Sequence, residues 1–179
     1  MARADAVALV APHLSEADLA AVIPKALEDL LEIEGALSHA GSLSGLAPYL
    51  PRRLVACALT ALKGVPDAGE RGRAFVTFAQ HTDGRHRAEC IDGAIAAAFE
   101  HDADRLAGRA GLLAAVLPLL SGPKYFRVLS DLTESWFRVS RPIVWRQLGK
   151  VVPSLAEIGG PAAVRSVFLS VRDVSEWWP

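Results

Sequence analysis

Five short stretches decide how this chain folds: Leu9-Val10-Ala11-Pro12-His13-Leu14, Leu46-Ala47-Pro48-Tyr49-Leu50, Phe78-Ala79-Gln80-His81-Thr82, Val116-Leu117-Pro118-Leu119-Leu120 and Val151-Val152-Pro153-Ser154-Leu155. Four of them set an apolar pair before a proline and a leucine two residues after it. In the copy at Gln80, Gln and Thr replace Pro and Leu. With Pro12, Pro48, Gln80, Pro118 and Pro153 as markers, the steps are 36, 32, 38 and 35 residues. A period in this range is the signature of stacked helical hairpins.

The residues between the markers fit that unit. Amphipathic stretches such as Gly72–Ala79 and Leu106–Leu117 run up to a marker. The proline then stops the helix, because it lacks an N–H and disfavours helix at the residue before it. Second helices are expected over Asp18–Leu31, Arg52–Leu62, Arg85–Phe99, Tyr125–Phe137 and Pro161–Val171. Pro161 suits a first helical position after Gly159-Gly160. Period-two alternation is absent, and Ala and Leu dominate the apolar positions, which favours helix. The expected fold class is therefore all-α: an α-solenoid of stacked antiparallel helical hairpins, about four and a half repeats in one domain, 1–179. The repeats fall roughly at 1–33, 34–64, 65–99, 100–138 and 139–171, with a C-terminal cap at 172–179. Ser38, Gly41, Ser42, Ser44 and Gly45 are poor helix formers, so the helix over Glu34–Leu46 is expected kinked, shortened or partly loop. Val174-Ser175-Glu176-Trp177-Trp178 reads as the opening of a further first helix that stops early, its tryptophans covering the last apolar face.

Composition bounds the function. The 179 residues are 51% hydrophobic and 22% charged, with a net charge of −1, values of a folded globular chain. A phosphate-neutralising protein carries a clear basic excess, so nucleic acid is disfavoured as a partner. Met1–Val10 holds no long apolar run of the secretory kind. Leu112–Leu120, interrupted by Pro118, is half the length that spans a bilayer. A cytoplasmic chain with no membrane partner is expected. Cys57 and Cys90 each sit among alanines and aliphatics, as small core residues of a reducing compartment do.

Catalytic signatures are missing. No G-x-x-x-x-G-K-[ST] or G-x-G-x-x-G is present, and Gly41-Ser42-Leu43-Ser44-Gly45 only approximates a nucleophile elbow without a preceding strand. His13, His39, His81, His86 and His101 form no zinc spacing. Cys90 follows His86 by four residues, but no third orienting group accompanies them. No cofactor, metal or catalytic residue is assigned, and the chain is expected not to be an enzyme. One surface feature remains. Arg52, Arg53, Arg85, Arg87, Lys124 and Arg127 all fall early in second helices, where cations oppose the helix dipole. A row kept against that cost would suit an anionic partner. Trp136, Phe137 and Trp145, near Arg138, Arg141 and Arg146, form the densest aromatic and basic cluster. Filling the stack is their expected role; if exposed, Trp145 and Arg146 would make an interaction hot spot.

The stretch Val65–Ala79, with its acidic turn, Arg73-Ala74 pair and aliphatic ladder, resembles the first helix of bacterial HEAT-like repeats. Ala47-Pro48-Tyr49-Leu50 and Val10-Ala11-Pro12-His13-Leu14 resemble its end, and Asp173–Pro179 resembles the family's C-terminal tail. The resemblance covers nearly the whole chain and departs at Gln80, Thr82 and Ser38–Ser44. It implies a right-handed solenoid serving as the sensor or scaffold region of a bacterial signalling or defence protein, of the kind found in NLR-like NTPases and caspase-like effector proteins. Its partner would be a protein, or linked domains of a larger chain. Two alternatives stay open: a nucleic-acid-binding HEAT-like protein, which would need a more basic groove, and a repeat-type bilin lyase, which would need an apolar cleft with a reactive Cys or acid.

Overall fold

In the computed structural model residues 2–32, 39–100, 106–136 and 138–177 are described. Every regular element among them is helical, and none is a strand. In chain order they are α1 (Ala2–Val10), α2 (Glu16–Glu32), α3 (His39–Leu46), α4 (Arg52–Lys63), α5 (Ala68–His81), α6 (Gly84–Phe99), α7 (Leu106–Val116), α8 (Gly122–Trp136) and α9 (Arg141–Trp177). The chain divides into two compact units, Met1–His101 and Asp102–Pro179.

Three of the five markers take the same local form. Pro12, Pro48 and Pro118 sit in 3₁₀ turns that extend α1, α3 and α7, and each turn ends on an extended leucine, Leu14, Leu50 or Leu120. At the degraded marker no proline intervenes. There α5 runs on as α-helix through His81 and ends on an extended Thr82, whose hydroxyl donates to the Phe78 carbonyl at 2.8 Å.

Pro153 behaves differently from expectation. It lies inside α9, and the chain breaks instead at Gly160, with φ 67° and ψ −174°. Proline removes one intrahelical hydrogen bond, a loss that packing can offset. The Ser154 hydroxyl donates to the Val151 carbonyl at 2.9 Å and lies 3.3 Å from the Tyr125 hydroxyl, both buried. That tether fastens the helix beyond Pro153 to α8. The expected separate helix at Val174 is also corrected: 174–177 continue α9. The Trp178 end of that reading lies outside the described residues, as do residues 34–38 of the doubtful Glu34–Leu46 segment; α3 itself is short, eight residues.

Helix starts follow capping chemistry. Ser15 and Asp18 form a reciprocal box before α2: the Asp18 N–H donates to Ser15 Oγ at 3.2 Å, and the Ser15 hydroxyl donates to the Asp18 carboxylate at 2.6 Å. Asp67 accepts from the Glu70 N–H at 2.7 Å at the start of α5. Such caps are each worth about 1 kcal/mol. Gly84, Gly122 and Gly160, all at positive φ, open the second helices of three successive hairpins at a spacing of 38 residues.

In the N-terminal unit α1 packs on α2, α3 on α4 and α5 on α6. The first helices α1, α3 and α5 also touch in succession, as do the second helices α2, α4 and α6. The α5–α6 hairpin is the densest part. Phe75, Phe78, Cys90, Ala94, Ala97 and Ala98 are all 2% exposed or less, and Gly93 lets the Phe75 ring approach to 2.8 Å from where a Cβ would stand. In the C-terminal unit α7 packs on α8 and on α9, around Leu113, Leu117, Tyr125, Leu132 and Val151, none above 1% exposed. The Trp136 indole N–H donates to Gln147 Oε1 at 2.6 Å in its interior.

Candidate functional site

Arg52 and Arg53 open α4, and Arg85 and Arg87 stand in the first turn of α6; all four are exposed. Because α4 packs on α6, the fold gathers them at one end of the N-terminal unit. The Arg52 guanidinium pairs with the carboxylate of Asp83, the residue just before α6. Beside that pair lies a recess of about 310 Å³ lined by Leu50, Val55, Gln80, His81, Thr82 and His86. Asp83 was not singled out in the sequence as a partner for Arg52. Lys124 and Arg127 are exposed on α8, in the C-terminal unit, so the row expected from the sequence is carried by two separate bodies.

A second groove runs beside α4 and α6, lined by Lys63, Arg85, Ala88, Glu89, Asp92 and Ala96. Lys63 donates to Glu89 at 2.6 Å, and this hydrogen bond holds the Glu89 carboxyl below its usual range. The pair is exposed to solvent, so its contribution to stability is small.

The cysteines separate. Cys90 is buried as expected, and burial pushes its thiol up to about 11 against a weaker opposing hydrogen bond with Thr82. The nucleophile is the thiolate, so Cys90 is chemically quiet at neutral pH. Cys57 overturns the expectation of a core residue: it is exposed. The α4 core face is Val55, Ala58, Leu59 and Leu62, and at 100° per residue Cys57 falls opposite it.

The aromatic cluster separates too. Trp136 is core, 5% exposed, whereas Trp145 is 40% exposed, which corrects the expectation that Trp145 fills the stack; Phe137 lies outside the described residues. Val144, Gln147, Leu148, Val151 and Leu155 face inward on α9, and Trp145 sits on the shoulder of that stripe. Its ring meets Phe168, 23 residues further on, at a centroid distance of 5.8 Å. The contact requires the chain to double back at Gly160. Arg146, Gly149, Lys150 and Arg165 are exposed on the same hairpin, and Phe168 and Ile158 are 49% and 44% exposed. Phe168, Lys150 and Arg165 were not singled out in the sequence. Helical spacing relates Lys150 to Arg146, but only the turn at Gly160 brings Phe168 to Trp145.

Arg71 also escaped notice. Its side chain is buried and donates to the carbonyls of Val65 and Pro66 and to the Glu100 carboxylate. It ties the turn before α5 to the end of α6, a structural role.

No group of three His, Cys, Asp or Glu among the described residues is placed to hold a metal ion, and no helix among them is long and apolar enough to cross a membrane. A scan against protein-family models finds no match. Searches among curated proteins and among solved structures find no similar protein either.

Proposed function

We propose that this chain is a protein-interaction module, a solenoid of HEAT-like hairpins acting as a scaffold or sensor region in a bacterial signalling or defence protein. The observation that carries the reading is the exposed Trp145–Phe168 pair beside Arg146. Trp and Arg are the residues most enriched at interaction hot spots, and a half-exposed aromatic pair held between the two arms of a helical hairpin presents apolar area at low entropic cost. The hairpin packing in both units supports the solenoid, since each hairpin buries its apolar face only against neighbours. The non-enzymatic reading is supported by Cys90, whose burial keeps the thiol protonated.

The exposed arginines of α4 and α6 favour a second reading, an anionic partner held at that end of the N-terminal unit. The two are separated by one capture experiment. The chain, its W145A/R146E variant and its R52E/R53E/R85E/R87E variant are used as baits against lysate of the source organism. Loss of a specific protein in the first variant alone supports the Trp145 surface; loss in the second alone transfers the site to the arginines. Retention in both abandons both surfaces.

A further inference from the structure

The surface around Trp145 has a counterpart elsewhere on the chain. Residues 102–179 carry ten Lys and Arg against seven Asp and Glu, whereas residues 1–101 carry nine against thirteen. A slightly negative whole thus hides an acidic unit and a basic one. Among the described residues, six of the eight large exposed apolar side chains fall on the two terminal hairpins; the others are Phe99 and Phe126. On the first hairpin Leu9, Val10 and Val22 are 77%, 47% and 37% exposed. Among its described residues the exposed carboxylates are Glu16, Asp18 and Glu28, with Lys25 as the exposed lysine. On the last hairpin Trp145, Ile158 and Phe168 are exposed among Arg146, Lys150 and Arg165, with Glu157 and Asp173 as exposed acids of the same hairpin. Beyond Gly160, none of the residues 161–170 is buried. The Trp145–Phe168 contact joins two of these exposed side chains into one apolar surface flanked by cations, the kind of surface that a partner covers.

Resting on the reading of this chain as an interaction module, we infer that the occupant of the Trp145 surface is the first hairpin of a second copy. The acidic rim of α2 meets the basic rim of α9, and Leu9, Val10 and Val22 cover the Trp145–Phe168 pair. The two patches are different surfaces of one chain, so the contact is heterologous: each copy offers one donor face and one acceptor face. Opposite charge on the two rims favours this pairing over either face meeting itself, where like charges would oppose each other.

Light scattering during size-exclusion chromatography over a concentration series tests this, with the variants L9D/V22D and W145D/F168D. All four positions are at least 37% exposed, and circular dichroism checks that both variants keep wild-type helicity. The wild type is expected to grow in mass with concentration, and the association to weaken as salt rises. Each variant alone stays at the 19.0 kDa protomer mass. Mixed in equal amounts they form a dimer of twice that mass and nothing larger, because each supplies the face the other lacks. A wild type that stays monomeric throughout overturns the inference, as does a mixture that stays monomeric or an association indifferent to salt. If L9D/V22D alone still dimerises, the contact is symmetric through the Trp145 surface and the pairing is wrong. A monomeric wild type whose W145A/R146E variant nevertheless loses a captured protein leaves the interaction module standing and removes only the second copy.

Discussion

The α5–α6 hairpin and the hairpin made by α9 are built from the same local signals and end in opposite states. Both second helices begin on a glycine at positive φ, Gly84 and Gly160. Yet α6 buries Cys90, Ile91, Ala94, Ala97 and Ala98, while none of the residues 161–170 is fully buried. The α5–α6 hairpin touches α3 and α4 as well as closing on itself, whereas α9 packs on α7 and is tied to α8 through Gln147 and Ser154, both before Gly160. A hairpin's local code thus specifies helices and a turn, and its neighbours determine whether the apolar side becomes core or surface.

The sharpest way to break this comparison is truncation of one aromatic in each hairpin. Phe75→Ala, in the close-packed α5–α6 pair, is expected to cost about 3–5 kcal/mol in urea unfolding followed by circular dichroism. Phe168→Ala is expected to cost under about 1 kcal/mol, in line with surface substitutions. Equal losses would mean that the α9 hairpin is as consolidated as the other.

Gly160→Ala places a Cβ in a backbone region open to glycine and is expected to cost about 1–3 kcal/mol. Trp145 emission should shift to the red as its Phe168 neighbour moves away. An unchanged spectrum would show that the aromatic pair does not depend on the turn.

The pH dependence follows from Cys90. Its native thiol titrates near 11, above the unfolded thiol, so the unfolded chain loses its proton first. Stability therefore falls as pH rises through the interval between the ordinary thiol value and about 11, by at most about 1.4 kcal/mol per pH unit. Cys90→Ala should flatten that part of the profile relative to wild type. The smallest effect belongs to Lys63→Met, which removes the exposed pair with Glu89 and should cost under about 1 kcal/mol. That cost should shrink as pH falls below the carboxylate range, where Glu89 is protonated in both states.

Much of the helical architecture could be read from the chain alone, for reasons visible in particular residues. Proline before an x-Leu pair gave three like turns, the second helices expected from Arg52 and Arg85 begin within a residue of their observed starts, and the break at Gly160 falls just before the expected start at Pro161. Pro153 misled because a proline's cost depends on what replaces the lost bond, and the Tyr125–Ser154 contact is 29 residues apart in sequence. The surface was harder. Cys57 and Trp145 have apolar neighbours in sequence, but exposure depends on their angle about the helix relative to a core stripe that only packing defines. The charge separation between the two units was hidden by reading the chain as one domain and summing its charge, and it emerged once packing divided the chain after His101.

Cys90 gives the molecule a clock of its own. The thiol is sealed between α5 and α6 and held in its unreactive form, so a thiol reagent reaches it only during moments when that hairpin opens. The exposed Cys57 on α4 reacts without waiting. The ratio of the two labelling rates then reports how often the best-packed part of the N-terminal unit breathes, in native buffer and without denaturant.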